Sequence, residues 1–287
     1  MKLSTNTIGW LNAAPLLAVL IPFFIVPVLV VGVASIMQTD GFGGMFMDPT
    51  LANYADVARS SLTYRLYFET IKFALLTLLF SAIIGFWVAY FLVFHVRSKL
   101  IAMGLFLVCT VPFWTSNIIR MISWIPLLGK EGLINQALIG IGLIDQPLEF
   151  LLYSSFAVVV AYVHQLTIFM IVPIFNSMAR IDKRVVEAAL DAGASRLDIM
   201  RHIIVPMSKS GIALGAIFVV SIVMGDFFVV KVMSGGGTAS VVGAFYEDIS
   251  VLQYPTAAAS AIILTIIVML MVAVILRVVD IRKEITR

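Results

Sequence analysis

Asp182–Pro206, DKRVVEAALDAGASRLDIMRHIIVP, is the longest strongly charged stretch in a chain that is otherwise mostly apolar. Its residue types suit contact rather than catalysis. Asp182 is placed to cap a short helix by accepting from exposed backbone N–H groups. Lys183, Arg184, Glu187 and Asp191 recur at helical spacing on one side, and Val185, Val186, Ala189 and Leu190 fall on the other. Gly193 then ends the helix where the chain must enter a left-handed conformation. Ser195 with Asp198 three residues on is a capping-box pattern for a second helix. Leu197, Met200, Ile203 and Ile204 form its apolar stripe, and Pro206 marks the next break. The expected product is a helix–glycine–helix bracket. Its elbow carries Ala188, Ala189, Ala192 and Ala194, which let another surface approach the backbone closely.

Chemistry of other kinds has few residues to carry it. No Gly-x-x-x-x-Gly-Lys-Ser/Thr phosphate loop occurs, and the run Gly235–Ser240 lacks the lysine that such a loop needs. His95, His164 and His202 have no metal-like spacing among themselves or with Cys109, the only cysteine. No Ser/His/Asp or paired-carboxylate arrangement stands out, which argues against an enzyme. Ionisable groups inside apolar runs are the remaining candidates, because they are costly there and usually face an interior or a water-filled path. Asp226, followed by Phe227 and Phe228, is one; His164 with Gln165 is another; Trp114 is an aromatic candidate for the same path. A carboxylate beside aromatics suits a cationic solute. Equally, Asp226 can be a packing group bonded to a neighbouring span or to Lys231, and His164 and Gln165 can bond between helices.

The elements that must position these residues follow from composition. The 287-residue chain is 61% hydrophobic and 12% charged, against about 25% charged in a soluble domain. It is expected to be an all-α polytopic membrane protein with one domain over 1–287 and no sizeable soluble part. Apolar runs at roughly 10–37, 68–94, 100–118, 150–178, 210–232 and 255–279 read as six spans. The first run is too long for a signal-peptide core, and Pro15, Pro22 and Pro27 should bend it. Residues 38–67 read as a polar loop with a short interfacial helix over 51–66, residues 120–149 as a partly embedded helix-loop, and 234–253 as a glycine-rich loop. Glu69 and Lys72 are spaced for a helical pair, and Ser81 and Gly85 offer a small face for close helix packing.

Of the 19 Lys and Arg, thirteen fall on one side, with both termini, if the six spans alternate; five fall on the other, and Lys72 lies within a span. The positive-inside rule then places the termini and the 182–206 bracket in the cytoplasm.

The bracket resembles the EAA loop of permease subunits of binding-protein-dependent ABC importers. Glu187, Ala188, Ala189, Gly193, Ile203 and Pro206 stand in that family's register, with Val205 where it usually has Leu. A second stretch narrows the resemblance. Pro112, Phe113, Trp114, Thr115, Ser116, Ile119, Arg120, Trp124, Gly129, Gly132 and Asn135 are similar to the spermidine/putrescine-type permease subfamily.

This resemblance implies a type I ABC importer permease fold in a bacterial inner membrane. It implies docking of Glu187, Ala188, Ala189, Asp191, Gly193, Arg196, Ile203 and Pro206 against an ATPase. Two ATPase subunits using ATP and magnesium are implied, with a second, non-identical permease subunit and an extracytoplasmic solute-binding protein. Neither a cofactor of its own nor nucleic acid is expected. The solute would be small and amine-bearing or amino-acid-like. An ion-gradient-driven secondary transporter is the alternative, but only Asp226 and Glu69 offer intramembrane acids for coupling.

Overall fold

The computed structural model describes residues 5–40 and 43–279, with side chains described from residue 12 onward. The tail at 280–287, Lys2 and the Trp10 side chain lie outside the described residues. The described residues are mostly helical, joined by turns and loops, with one short hairpin, β1 (Gln38–Thr39) with antiparallel β2 (Met45–Phe46).

Two compact units divide the described chain. The first joins the segment up to Tyr64 with Ala244–Ile266. Its leading helix, α1 (residues 5–34), stays continuous despite three prolines and relaxes into one wider π-type turn at Ile21–Ile25, around Pro22. Asn53, on the short helix α2 (Ala52–Arg59), donates to the carbonyls of Ser35 (3.0 Å) and Met37 (2.9 Å). Tyr54 and Ser35 share a hydroxyl hydrogen bond of 2.7 Å. The two Asn53 bonds satisfy carbonyls that the end of α1 leaves without helical partners.

The second unit comprises Arg65–Gly243 with Ile267–Arg287, and the helix that leads into it arrives early. It is expected near residue 68, yet α3 spans Ser61–His95. The expected 51–66 helix is therefore two pieces. Ser60 separates them in an extended conformation, and its hydroxyl accepts from Thr63 N–H at 3.2 Å. Glu69 and Lys72 form their ion pair on α3.

The third run also departs from expectation. Helix α4 (Lys99–Trp114) stops short of residue 118 because Thr115 and Ser116 are extended. The chain turns by 93° into three short helices, α5 (Asn117–Ile122), α6 (Ile125–Leu128) and α7 (Leu133–Gly140). Buried Asn135 closes the loop that follows: its amide donates to the carbonyls of Gly129 (3.0 Å) and Leu148 (3.3 Å) and accepts from Leu148 N–H (2.8 Å).

Central to this unit is α8 (Ser155–Met178), which starts later than residue 150 because Ser154 caps it by accepting from Ala157 N–H. Ala157, Val158, Ala161, Tyr162, Met170, Ile174 and Met178 are buried along it. After the bracket helices α9 (Lys183–Asp191) and α10 (Arg196–Met207) comes α11 (Lys209–Gly225), the fifth crossing. Glycines bring its backbone onto α8. A Cβ at Gly215 would lie 2.6 Å from the Met170 sulfur, and one at Gly211 would lie 2.7 Å from Ser177 Cβ. From the other side, a Cβ at Gly85 of α3 would lie 2.7 Å from Met170 Cβ, so Ser81 and Gly85 do serve a close contact.

The fifth run is not one helix to residue 232. It breaks at Asp226 and resumes as α12 (Phe228–Met233). The expected glycine-rich loop at 234–253 contains a helix, α13 (Val241–Ser250), whose first N–H is accepted by Thr70 Oγ1 at 3.0 Å. The last helix, α14 (Tyr254–Val279), agrees closely with expectation. Among the described residues four helices, α1, α3, α8 and α14, are long and apolar enough to cross a membrane unaided, and the count is six if the α4–α7 and α10–α11 bent pairs are each one span.

Candidate functional site

The bracket is built by local rules. Asp182 accepts from Arg184 N–H at 3.0 Å and caps α9. At the other end Gly193 adopts φ +84°, its N–H reaching Leu190 O (2.9 Å) while Ala194 N–H reaches Ala189 O (3.0 Å). This left-handed turn ties off the last carbonyls of α9 and reverses the chain. Ser195 and Asp198 form the reciprocal capping box that starts α10. Hydrogen bonds from the Ser195 side chain and backbone hold the Asp198 carboxyl below the usual carboxylate range. A wider turn at Met200–Ile204 follows, then Pro206 near the end of α10 and a 62° bend into α11.

No residue of α9 is buried. Glu187, Ala188, Asp191, Gly193 and Arg196 are exposed, and Ala189, Ile203 and Pro206 are half-buried. The apolar side expected from periodicity is not covered within this chain: Val185, Leu190 and, at 74% exposure, Leu197 face outward. A Cβ at Gly193 would meet nothing within 4 Å. Ile181, Ile199 and Ile204 are buried and anchor the bracket at its ends and middle. Below it, Ser177 of α8 and Ser210 of α11 share a hydroxyl hydrogen bond of 3.0 Å. An exposed elbow is thus mounted on two helices whose backbones are in close contact.

The intramembrane candidates are dispersed. Asp226 stands in the break after α11, not inside a continuous helix. Its Oδ1 accepts from Tyr162 Oη of α8 and from Val229 N–H, both at 3.0 Å, so it bonds a neighbouring helix and caps α12 at once. Phe227 meets Phe228 edge-on. Trp114, at the end of α4, is 84% exposed. His164 lies in the wall of a cavity of about 570 Å³ between α3, α4, α5 and α8, and that lining includes none of Asp226, Phe227 or Trp114.

Two residues not singled out for the path line the same cavity. Trp124 donates its indole N–H to His164 Nδ1 at 3.1 Å. Arg120 is 7% exposed, and one guanidinium nitrogen donates to Asn117 Oδ1 one turn before it. Gln165 spans to the Asn117 carbonyl at 3.4 Å. The signal for Arg120 was present as a cation three residues into a post-turn helix, but its burial depends on α8, over 40 residues away.

Comparison with known proteins agrees with this architecture. Residues 81–284 match the family model described as binding-protein-dependent transport system inner membrane component. The chain is 31% identical over 269 residues to the spermidine/putrescine transport system permease protein PotB of Escherichia coli (strain K12), covering 93% of each chain. It is 28% identical to the protein of the same name in Haemophilus influenzae, over 96% of this chain and 95% of that one. Among solved structures, a chain of a bacterial alginate ABC transporter in complex with its periplasmic protein superposes with a TM-score of 0.73 at 16% identity, covering 98% and 96% of the two chains. A chain of the MetNI methionine ABC transporter reaches 0.53 at 18% identity, over 76% and 95%. These likenesses establish an all-α polytopic membrane protein with the type I importer permease fold. With its family model matched over most of its length, the chain belongs to the binding-protein-dependent transport system inner membrane components.

Proposed function

We propose that this chain forms half of the translocation path of an ATP-driven importer for a small amine-bearing solute of the polyamine class. The second half is a non-identical permease subunit, two ATPase subunits bind on the cytoplasmic side, and an extracytoplasmic binding protein delivers the solute. Both termini are then cytoplasmic. ATP and magnesium are used by the ATPases and not by this chain.

The observation that carries the reading is the exposed, doubly capped elbow at Gly193, rooted in the closely packed α8–α11 pair. A partner ATPase would seat against Glu187, Ala188, Ala189, Asp191, Gly193 and Arg196, with Ile203 and Pro206 holding the second arm. The uncovered Val185, Leu190 and Leu197 supply apolar area for that contact. Closure of the ATPases pushes the elbow, and because glycine contacts leave α8 and α11 little freedom to slide, the two helices move together.

For the path, the same reading takes Asp226 and Phe227, at the break between α11 and α12, with Trp114. Broken helices are a recurrent way to offer polar groups to a solute within a membrane. His164, which accepts from Trp124 and lines the cavity between α3, α4, α5 and α8, is taken with Asp226, Phe227 and Trp114 as a further path residue.

The test is purification of the complex from its native operon, reconstitution into lipid, and ATP hydrolysis and uptake with spermidine, putrescine and an amino-acid panel plus the binding protein. Amine-stimulated hydrolysis with ATP-dependent uptake is expected. Uptake that ignores ATP and follows an ion gradient would contradict the reading and favour a secondary transporter.

A further inference from the structure

The cavity between α3, α4, α5 and α8 holds a feature that the transport reading does not use. Arg120 is buried there, and among the described residues its Nε and Nη1 have no hydrogen-bond partner. One other nitrogen is satisfied by Asn117. A guanidinium desolvated in this way carries a large cost unless an acceptor of opposite charge completes it.

The remaining lining says what kind of acceptor fits. Along α8 the wall runs from Phe156 to Ile171, a rise of about 22 Å at 1.5 Å per residue. Phe80 and Ile84 of α3 face it. Trp124 and His164 already bond each other, and no carboxylate is among the lining residues. A polyamine would meet a cation and no anion. A small hydrated anion would lose its water to an apolar wall without replacement. The volume lies within the range of sites for small organic ligands, which are mostly apolar with a few placed polar groups.

We propose that this cavity is a binding site for an organic anion with an apolar body, a single carboxylate or phosphate ester pairing with Arg120 and its chain lying along α8. Such a group is available from an anionic bilayer lipid or from a free alkyl acid. The proposal does not rest on the importer reading, since it concerns equilibrium binding and is read without uptake or ATP hydrolysis.

Trp124 reports on the site, because a bromine atom on a bound chain quenches an indole that it touches. The probes are 11-bromoundecanoate, 11-bromoundecanol, acetate and spermidine, added to the purified, delipidated complex. The Trp124 signal is the difference between wild type and Trp124→Phe. The carboxylate is expected to quench this signal at a concentration roughly fivefold or more below the alcohol, the discrimination that one nearby cation supplies. Acetate and spermidine should not displace it. Arg120→Gln should abolish the discrimination, and Arg120→Lys should keep part of it. If Arg120→Gln fails to assemble, the comparison of acid with alcohol on wild type and Arg120→Lys decides.

A second arm separates the sources. In nanodiscs, stronger quenching by dibrominated phosphatidylglycerol than by dibrominated phosphatidylcholine would assign the site to a bilayer lipid. Retained binding of bromoundecanoate without that lipid preference would assign it to a free acid. Equal quenching by acid and alcohol, or discrimination that survives Arg120→Gln, would overturn the proposal. So would a Trp124 that no probe reaches, as when a carboxylate from the second pore subunit covers Arg120.

Discussion

Two polar regions of this chain solve the same problem in opposite ways. The bracket satisfies its helix ends within a few residues: Asp182 on Arg184 N–H, Gly193 on Leu190, Ser195 with Asp198. The intramembrane groups depend on distant partners: Asp226 on Tyr162, Trp124 on His164, Gln165 on Asn117. Water is available to the first region, so its bonds are optional and local. In the second no solvent substitutes for a missing partner, and these three bonds each reach a segment 40 or more residues away. The bracket can therefore be altered without harming the fold, whereas the membrane bonds cannot.

The largest expected effect breaks the distant kind. Asp226→Ala removes the acceptor of both Tyr162 and Val229 N–H, and should cost about 2–4 kcal/mol, read as a lower Tm and reduced yield in detergent. Asp226→Asn keeps an acceptor and separates the roles. Lost uptake at normal yield and Tm would favour a path role, whereas joint loss would leave Asp226 a helix-joining group.

Next comes the seam beneath the bracket. Gly215→Leu places a side chain where Met170 already stands and should destabilise by about 1–3 kcal/mol through overpacking, again read as Tm. Tyr162→Phe, which leaves Asp226 its backbone partners at the start of α12, should cost about 1 kcal/mol.

Smaller still is a change in the local kind. Ser195→Ala removes a cap worth ~1 kcal/mol. Amide exchange in the first turn of α10 should then quicken about fivefold while Tm stays put. Because the Asp198 pKa is lowered, the capping contribution is complete above the ordinary carboxylate range and fades as pH falls through the lowered value. Protection in that turn, taken relative to the intrinsic exchange rate at each pH, should therefore fall in acid for wild type and less so for Asp198→Asn. A drop in Tm from Ser195→Ala comparable to that of Asp226→Ala would erase the distinction between the two regions.

The same contrast explains what could be read before the fold was seen. The caps of the bracket, the Gly193 turn and the Glu69–Lys72 pair are determined within a few residues, and composition alone implies a helical membrane protein. Helix starts at Ser61 and Ser155 were shifted because Ser60 and Ser154 act as caps inside runs that hydropathy averages over. The breaks at Thr115 and Asp226 are extended residues in apolar surroundings, and hydropathy does not distinguish an interrupted helix from a straight one. The burial of Arg120 is not legible locally, since its surroundings are set by α8. The helix α13 was hidden by the glycines that precede it.

The central claim is that the Gly193 elbow is the coupling contact, and Gly193→Asp tests it most directly. The substituted site has open space around it, so the cost to the isolated chain is confined to a left-handed residue, about 1–2 kcal/mol. Chain yield and Tm should stay close to wild type, while co-purification of the ATPase and amine-stimulated ATP hydrolysis fall about tenfold or more. Full hydrolysis and uptake in that variant would contradict the claim.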